Sequence, residues 1–173
     1  MKKIAFIGTH GTGKTTLAHG LVYELKKQNK NAEFLGEIAR LCPLPINEQT
    51  SKEAQEWIIY NQYTKELESL NKCKILVCDR SVLDSYAYYM NKCGENKLIE
   101  NFVDEKIREY SFLFKVSINP KFLKEDGIRA TDPVFQKNID EKMDYLLNKL
   151  SVKHYRINNL EEALKIIKND RSI

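Results

Sequence analysis

The sequence lacks a long apolar segment. No window of its 173 residues approaches the roughly 18 consecutive apolar residues that a membrane helix needs, so we do not expect a membrane protein. The basic start of the chain is followed by only four apolar residues before Gly8. A secretory signal needs an apolar run of roughly 7–15 residues, and we therefore expect a cytoplasmic protein.

Cysteine and clustered charge are also scarce. The four cysteines form no C-x-x-C pair and have no histidine nearby at metal-ligand spacing, which argues against a zinc site and favours reduced thiols. They are Cys42, Cys73, Cys78 and Cys93. Lysine and arginine number 28 against 24 acidic residues, for a net charge of +4, and both signs are interspersed. Such a surface fits a small anionic ligand, whereas nucleic-acid binding, which usually shows clustered basic residues, is not favoured.

Apolar runs and helical periodicities alternate along the chain. Short apolar runs predict five strands, at 2–8, 31–37, 74–78, 112–118 and 152–157. Helical spacing of apolar residues predicts six helices, at 14–28, 50–70, 81–91, 96–109, 133–150 and 160–168. This alternation is typical of an α/β protein with a parallel sheet covered by helices on both faces. We expect residues 1–173 to form a single domain.

The segment from Gly8 to Thr15 matches the phosphate-binding pattern G-x-x-x-x-G-K-[ST]. It follows a predicted strand and opens a predicted helix, a context that disfavours the alternative of a glycine-rich turn without a ligand. Glycines let successive backbone N–H groups turn toward phosphate oxygens, and the helix N-terminus adds the positive end of its dipole. We expect Lys14 to reach the β- and γ-phosphates and Thr15 to offer its hydroxyl to Mg²⁺. The predicted phosphate-binding residues are Gly8, Thr9, His10, Gly11, Thr12, Gly13, Lys14, Thr15 and Thr16.

Two charged residues follow the apolar strand at 74–78. Asp79 is a candidate for holding Mg²⁺ directly or through water, and the alternative is a residue that only caps the next helix. Arg80 comes immediately after it, so its guanidinium could point at a transferring or accepted phosphate, or pair with Glu37 or Asp84. Beside the phosphate loop, Asp79 and Arg80 favour a nucleoside-triphosphate site with Mg²⁺.

Two further features distinguish a transferase from a simple nucleotide binder. Glu37 ends the second predicted strand, where its carboxylate could accept the proton of an attacking hydroxyl or could simply be a surface residue. Arg40 is a candidate for holding an acceptor phosphate or for pairing with Glu37. The polar segment 119–132 is interpreted as a lid that closes over phosphates, excludes water and supplies Arg129. The alternative is a solvated loop.

Aromatic residues on two predicted helices are candidates for stacking a base or a sugar. They are Trp57, Tyr60, Tyr63, Tyr86, Tyr88 and Tyr89. For each of them, core packing is the alternative. We expect Trp57, Tyr60 and Tyr86 to contact the acceptor, together with Arg40 and Arg80.

Together these residues resemble the nucleoside and nucleotide kinase branch of P-loop proteins. The chain is similar to thymidylate kinases and deoxynucleoside kinases, and to the ATPase/kinase domain family that includes ribosylnicotinamide kinases. The resemblance rests on Gly8–Thr15, Glu37, Asp79-Arg80-Ser81 with Tyr86-Ala87-Tyr88, and Asp126-Gly127-Ile128-Arg129 leading to Asp132-Pro133. It implies a three-layer fold with a five-stranded parallel sheet in the order 2-3-1-4-5. It also implies Mg-ATP as donor, Arg80 near the acceptor and Arg129 as a lid arginine.

The leading interpretation is an ATP-dependent kinase that acts on a nucleoside or a nucleoside monophosphate. Glu37 deprotonates or orients the acceptor, while Lys14, Arg80 and Arg129 offset charge on the transferring phosphoryl group. Ribosylnicotinamide, a nucleic-acid 5′-hydroxyl and an isoprenoid-type metabolite stay open as acceptors, and so does a regulatory ATPase that is no kinase. A homodimer through the helix at 50–70 or at 81–91 is a further expectation.

Overall fold

The computed structural model describes residues 1–119 and 132–170. In this part of the chain the strands are β1 (Lys2–Ile7), β2 (Ala32–Leu35), β3 (Ile75–Asp79), β4 (Tyr110–Val116) and β5 (Tyr155–Ile157). The α-helices are α1 (Lys14–Lys27), α2 (Lys52–Glu68), α3 (Val82–Cys93), α4 (Lys97–Ile107), α5 (Pro133–Lys149) and α6 (Leu160–Asp170). Two short 3-10 helices, Ile38–Leu41 and Asn47–Gln49, lie between β2 and α2.

The five strands form one parallel sheet in the order β2-β3-β1-β4-β5. The central strand β1 pairs with two neighbours, so that Ile4 stands beside Val77 of β3 and Phe112 of β4. This arrangement confirms both the parallel sheet expected from the alternating pattern and the strand order that the resemblance implied. Because every strand runs the same way, the carboxyl ends of the strands meet at one edge of the sheet.

Alternate residues of the central strand serve two separate cores. Ile4 and Phe6 pack into a core with α1 and α6, as Leu21 and Ile167 illustrate. Ala5 and Ile7 face the opposite core, which α2, α3, α4 and α5 complete. The period-two alternation of a strand thus buries both faces of the sheet under helices, and the predicted three-layer fold is confirmed.

Helices α3 and α5 begin at side-chain caps. The Ser81 hydroxyl accepts the Leu83 N–H, and the Asp84 carboxylate accepts the Ser81 N–H in return, which completes a capping box. Asp132 accepts the N–H groups of the second and third residues of α5, whose first residue is Pro133. The two edge strands, β2 and β5, are shorter than predicted.

Several expectations concern regions or properties that the fold leaves as predictions. Residues 120–131, with Arg129 and most of the predicted lid at 119–132, lie outside the described residues. The single-domain interpretation and the cytoplasmic location stay predictions. Within residues 1–119 and 132–170, no helix is long and apolar enough to cross a membrane.

Candidate active site

The loop between β1 and α1 forms the centre of the candidate site. Gly8, Gly11 and Gly13 have φ angles of 141°, 65° and 87°, a region that glycine enters without steric cost. At Gly8 a β-carbon would also stand 3.0 Å from the carbonyl oxygen of Val116. These glycines allow the loop to curl back on itself before Lys14 begins α1.

The Lys14 side chain lies across this loop. Its Nζ donates to the carbonyl oxygen of Thr9 at 2.5 Å and lies 3.3 Å from the Thr12 hydroxyl. Burial, and next the neighbouring Arg80 guanidinium, lower the pKa of Lys14 to about 8. A phosphate bound in the loop would stabilise the charged ammonium, because an adjacent anion favours the protonated form of a lysine.

Thr15 and Asp79 meet beside the loop and offer oxygen ligands for a cation. The Thr15 hydroxyl donates to Asp79 Oδ2 at 2.5 Å, and Asp79 is buried at the end of β3. Among the residues that the structure describes, no group of three or more His, Cys, Asp and Glu side chains is arranged to hold a metal ion. The pair therefore fits an ion such as Mg²⁺, which commonly uses one or two protein oxygens and takes its other ligands from phosphate and water.

Arg80 has a backbone conformation that is rare outside glycine, with a φ of +87°. Its side chain turns toward the phosphate loop, where Nε donates to Glu37 Oε1 at 2.7 Å and Nη1 donates to the Gly8 carbonyl at 3.4 Å. The ring of Tyr88 lies 5.2 Å from the guanidinium carbon. The guanidinium is thus held between the ends of β2 and β3, the loop and α3.

Glu37 lies between two arginines at the end of β2. Oε1 accepts from Arg80 and Oε2 accepts from Arg40 Nε at 3.1 Å. Burial alone would raise the pKa of Glu37, but the charges of Arg80, Lys14 and Arg40 lower it to about 2. A carboxylate of such low pKa is ionised near neutral pH and is a weak base, so the geometry suits orientation of the two guanidiniums better than proton abstraction.

Asp84 has a second role that the sequence did not indicate. Oδ2 accepts from Ser81 as part of the capping box, while Oδ1 accepts the Gly8 N–H at 2.9 Å. Burial raises the pKa of Asp84, and the charges of Arg80 and Lys14 oppose that rise. The start of α3 is therefore fastened directly to the start of the phosphate loop.

Two adjoining cavities open at this edge of the sheet. The first is lined by His10, Gly11, Thr12, Gly13, Lys14, Thr15, Thr16, Glu37, Arg40, Ile46, Asn47, Asp79 and Arg80. The second is lined by Glu37, Ala39, Ile46, Asn47, Gln55, Ile58, Arg80, Ser85 and Tyr88. Seven of the nine predicted phosphate-binding residues line the first cavity, while Gly8 and Thr9 lie outside that lining. Four residues line both cavities and so stand at their junction, namely Glu37, Ile46, Asn47 and Arg80.

Three predicted acceptor residues, Trp57, Tyr60 and Tyr86, lie within the described chain but line neither cavity. Tyr86 is 0% exposed in the core, and its hydroxyl accepts the Asn96 N–H at 3.1 Å. The Tyr60 ring packs instead on Phe102 of α4, with 5.4 Å between centroids. These three aromatics therefore line neither of the two cavities, and their contact with the acceptor stays a prediction.

The spacing of a helix explains why one aromatic residue of α3 lines a cavity and another does not. Successive residues are about 100° apart around a helix axis, so Tyr86 and Tyr88 face nearly opposite directions. The second cavity is lined by Ser85 and Tyr88 of α3 and by Gln55 and Ile58 of α2.

Comparisons with known proteins agree with this fold. The model of the AAA domain family matches residues 3–163 of the chain. A thymidylate kinase from Ehrlichia chaffeensis has a similar fold, with 21% identity, a TM-score of 0.71, and coverage of 96% of this chain and 98% of that chain. A deoxyadenosine kinase from M. mycoides with bound dATP is 15% identical, with a TM-score of 0.66 and full coverage of both chains. A comparison with curated protein sequences gave no match. The expected resemblance is confirmed at the level of family and fold.

Proposed function

The chain belongs to the AAA domain family, and we propose that it transfers the γ-phosphoryl group of ATP to a nucleoside or a nucleoside monophosphate. The observation that carries this proposal is the junction of the two cavities at Glu37 and Arg80. A phosphotransferase needs an acceptor site next to its phosphate site, whereas a regulatory ATPase needs only the latter. The similar folds of a thymidylate kinase and a deoxyadenosine kinase support the choice of acceptor class.

The first cavity has the groups that a triphosphate requires. Backbone N–H groups of the loop, the N-terminus of α1 and Lys14 supply positive charge to phosphate oxygens. Thr15 and Asp79 would hold Mg²⁺, which would help to neutralise the charge on the transferring phosphoryl group. ATP and Mg²⁺ are therefore the proposed donor and cofactor.

Transfer in this chemistry depends mainly on positioning and on electrostatic stabilisation, because the transition state is loose and needs little covalent help. Arg80 is the residue best placed to stabilise the transferring group, since it stands at the junction of the cavities. We assign Glu37 the task of holding Arg80 and orienting the acceptor, in keeping with its low pKa. Arg129 stays the proposed lid arginine.

The second cavity has the mixed character of a small-molecule site. Ala39, Ile46 and Ile58 give apolar walls, and Gln55 and Ser85 add polar groups. The Gln55 side chain is buried and donates from Nε2 to the Thr50 hydroxyl at 2.8 Å, which holds the amide in one orientation. Such a cavity suits a flat base or a sugar that is recognised by a few hydrogen bonds.

A panel of acceptors tests this proposal through the rate of ADP formation from Mg-ATP. The panel contains nucleosides, nucleoside monophosphates, ribosylnicotinamide, an isoprenoid alcohol, an oligonucleotide with a 5′-hydroxyl, and no acceptor. We expect strong stimulation by a nucleoside or a nucleoside monophosphate, which Arg80→Ala abolishes and Arg156→Ala, a change on the exposed side of β5, preserves. Slow ADP formation that no compound stimulates would indicate a regulatory ATPase. Stimulation only by one of the other compounds would disprove the acceptor class.

A further inference from the structure

The backbone of His10, the third residue of the phosphate loop, is held from two sides by two helices. Its N–H donates to the hydroxyl of Tyr88 on α3 at 3.2 Å. Its carbonyl accepts from Nε2 of Gln136 on α5 at 2.7 Å. Gln136 is 3% exposed, so its amide is committed to this contact inside the protein.

Aromatic rings reinforce the same contact. The His10 ring stacks on Phe135, with 5.4 Å between centroids and 30° between planes, and Phe135 meets Tyr88 edge-on at 6.0 Å. His10 Nδ1 also lies 2.9 Å from the Tyr88 hydroxyl. Because that hydroxyl accepts the backbone N–H, its own hydrogen can be donated to Nδ1. Side chains from α3 and α5 thus enclose His10.

These contacts control two successive peptide planes of the loop. In a trans peptide the C=O and the N–H point in opposite directions. When Tyr88 holds the His10 N–H, the carbonyl of Thr9 is turned the other way, where it accepts from Lys14 Nζ. When Gln136 holds the His10 carbonyl, the N–H of Gly11 is turned away from α5, and Gly11 lines the phosphate cavity.

We propose that Gln136 is a positioning residue of the phosphate site, which acts by fixing the peptide plane between His10 and Gly11. Without its amide, the buried His10 carbonyl would lose the donor on α5, and the plane could turn its carbonyl toward the phosphate oxygens. Such a turn is easy at Gly11, which already has a φ of 65°. The inference rests on the proposed function only in naming ATP as the ligand of the loop.

Amide hydrogen exchange and nucleotide affinity test this inference together. Gln136→Met keeps the length of the side chain and removes the donor, while Lys137→Ala changes the next, exposed residue of α5 and serves as the control. In the nucleotide-free protein we expect faster exchange in residues 8–13 of Gln136→Met alone. We also expect the Kd for ATP to rise about tenfold, the scale of one lost buried hydrogen bond.

Different outcomes separate this inference from the proposed function. Unchanged exchange and unchanged ATP affinity in Gln136→Met would overturn the positioning role, even if the Tm fell. If the wild-type protein bound no ATP, the proposed function would fail, and the exchange rates of residues 8–13 would still decide the role of Gln136. Should Gln136→Met not fold, Gln136→Leu also removes the donor, and the same comparison applies.

Discussion

Two groups of polar and charged residues lie at opposite ends of the parallel strands, and they differ in what they face. The group at the carboxyl ends, here called the open group, lines the first cavity. It contains Lys14, Glu37, Asp79 and Arg80. The group at the amino ends, here called the closed group, contains Lys3, Gln62, Glu66, Glu109 and Tyr110. None of its members lines either of the two cavities.

The group at the amino ends is closed by its own hydrogen bonds. Lys3 Nζ donates to Glu66 Oε2 at 2.8 Å and to Glu109 Oε2 at 2.7 Å. Glu66 Oε1 accepts from Gln62 Nε2 at 2.9 Å and from the hydroxyl of Tyr110. These bonds join the end of α2 to the start of β1 and β4, so the group has a structural character.

The two lysines show what the difference means. Burial acts to lower the pKa of both, but Lys3 donates to two carboxylates, and their negative charge leaves its pKa raised. Lys14 donates to a carbonyl and lies near a hydroxyl, and its pKa falls to about 8. A buried lysine whose hydrogen-bond partners are neutral and which faces a cavity is prepared for an anionic ligand. A lysine between carboxylates stabilises the fold.

Removing the lysine of the open group has the largest expected effect. Lys14→Ala should lower the rate of phosphoryl transfer about a thousandfold, the scale of losing one preorganised charge next to a transferring group. The Tm should not fall, because burial already disfavours the charged side chain. Steady-state kinetics and thermal unfolding check both expectations. A wild-type rate of transfer in this variant would show that the open group is not the active site.

Breaking the closed group should affect stability and leave the chemistry intact. Glu66→Ala takes one carboxylate from Lys3 and the acceptor from two buried donors, which should lower the free energy of unfolding by about 3 kcal/mol. Glu68→Ala, an exposed position at the end of α2, is the matched control and should change it by less than about 0.5 kcal/mol. Urea unfolding measures the difference. If Glu66→Ala kept its stability but lost phosphoryl transfer, the structural role of the closed group would be contradicted.

The pH dependence of nucleotide binding is the smallest of these effects. It tests the difference between Lys14 and Lys3 more finely. Because a bound phosphate favours charged Lys14, the affinity for ATP should be constant below the pKa of about 8 and fall by at most about tenfold per pH unit above it. Calorimetry near pH 8 in two buffers of different ionisation enthalpy should show proton uptake on binding. Lys14→Arg should remove this uptake. A flat affinity between pH 7 and about 9.5 would contradict the assigned protonation of Lys14.

The parts of the site that are local in sequence could be predicted, and the parts that depend on packing could not. The phosphate loop and the pair Asp79 and Arg80 follow from short spacings next to predicted strands, and the structure brings them together. The contacts of Asp84 with Gly8 and of Gln136 with His10 join residues 76 and 126 positions apart. No local sequence pattern indicates which residues so far apart in the chain will make contact.

Which aromatic residues line the two cavities could not be predicted from the sequence for a related reason. Periodicity identifies the helix at 81–91, but it does not say which of two faces meets the core and which meets the cavity. Tyr86 has its hydroxyl satisfied by Asn96, and Tyr88 has its hydroxyl at the phosphate loop. Only the packing of α3 against its neighbours decides between them.

The central claim is that the open group of charged residues transfers a phosphoryl group and does not merely release it. The most direct measurement follows the label from ATP carrying a labelled γ-phosphoryl group, with the wild-type protein and the stimulating acceptor. We predict that the label appears in the acceptor, in amounts equal to the ADP formed. Label found only in inorganic phosphate would contradict the account.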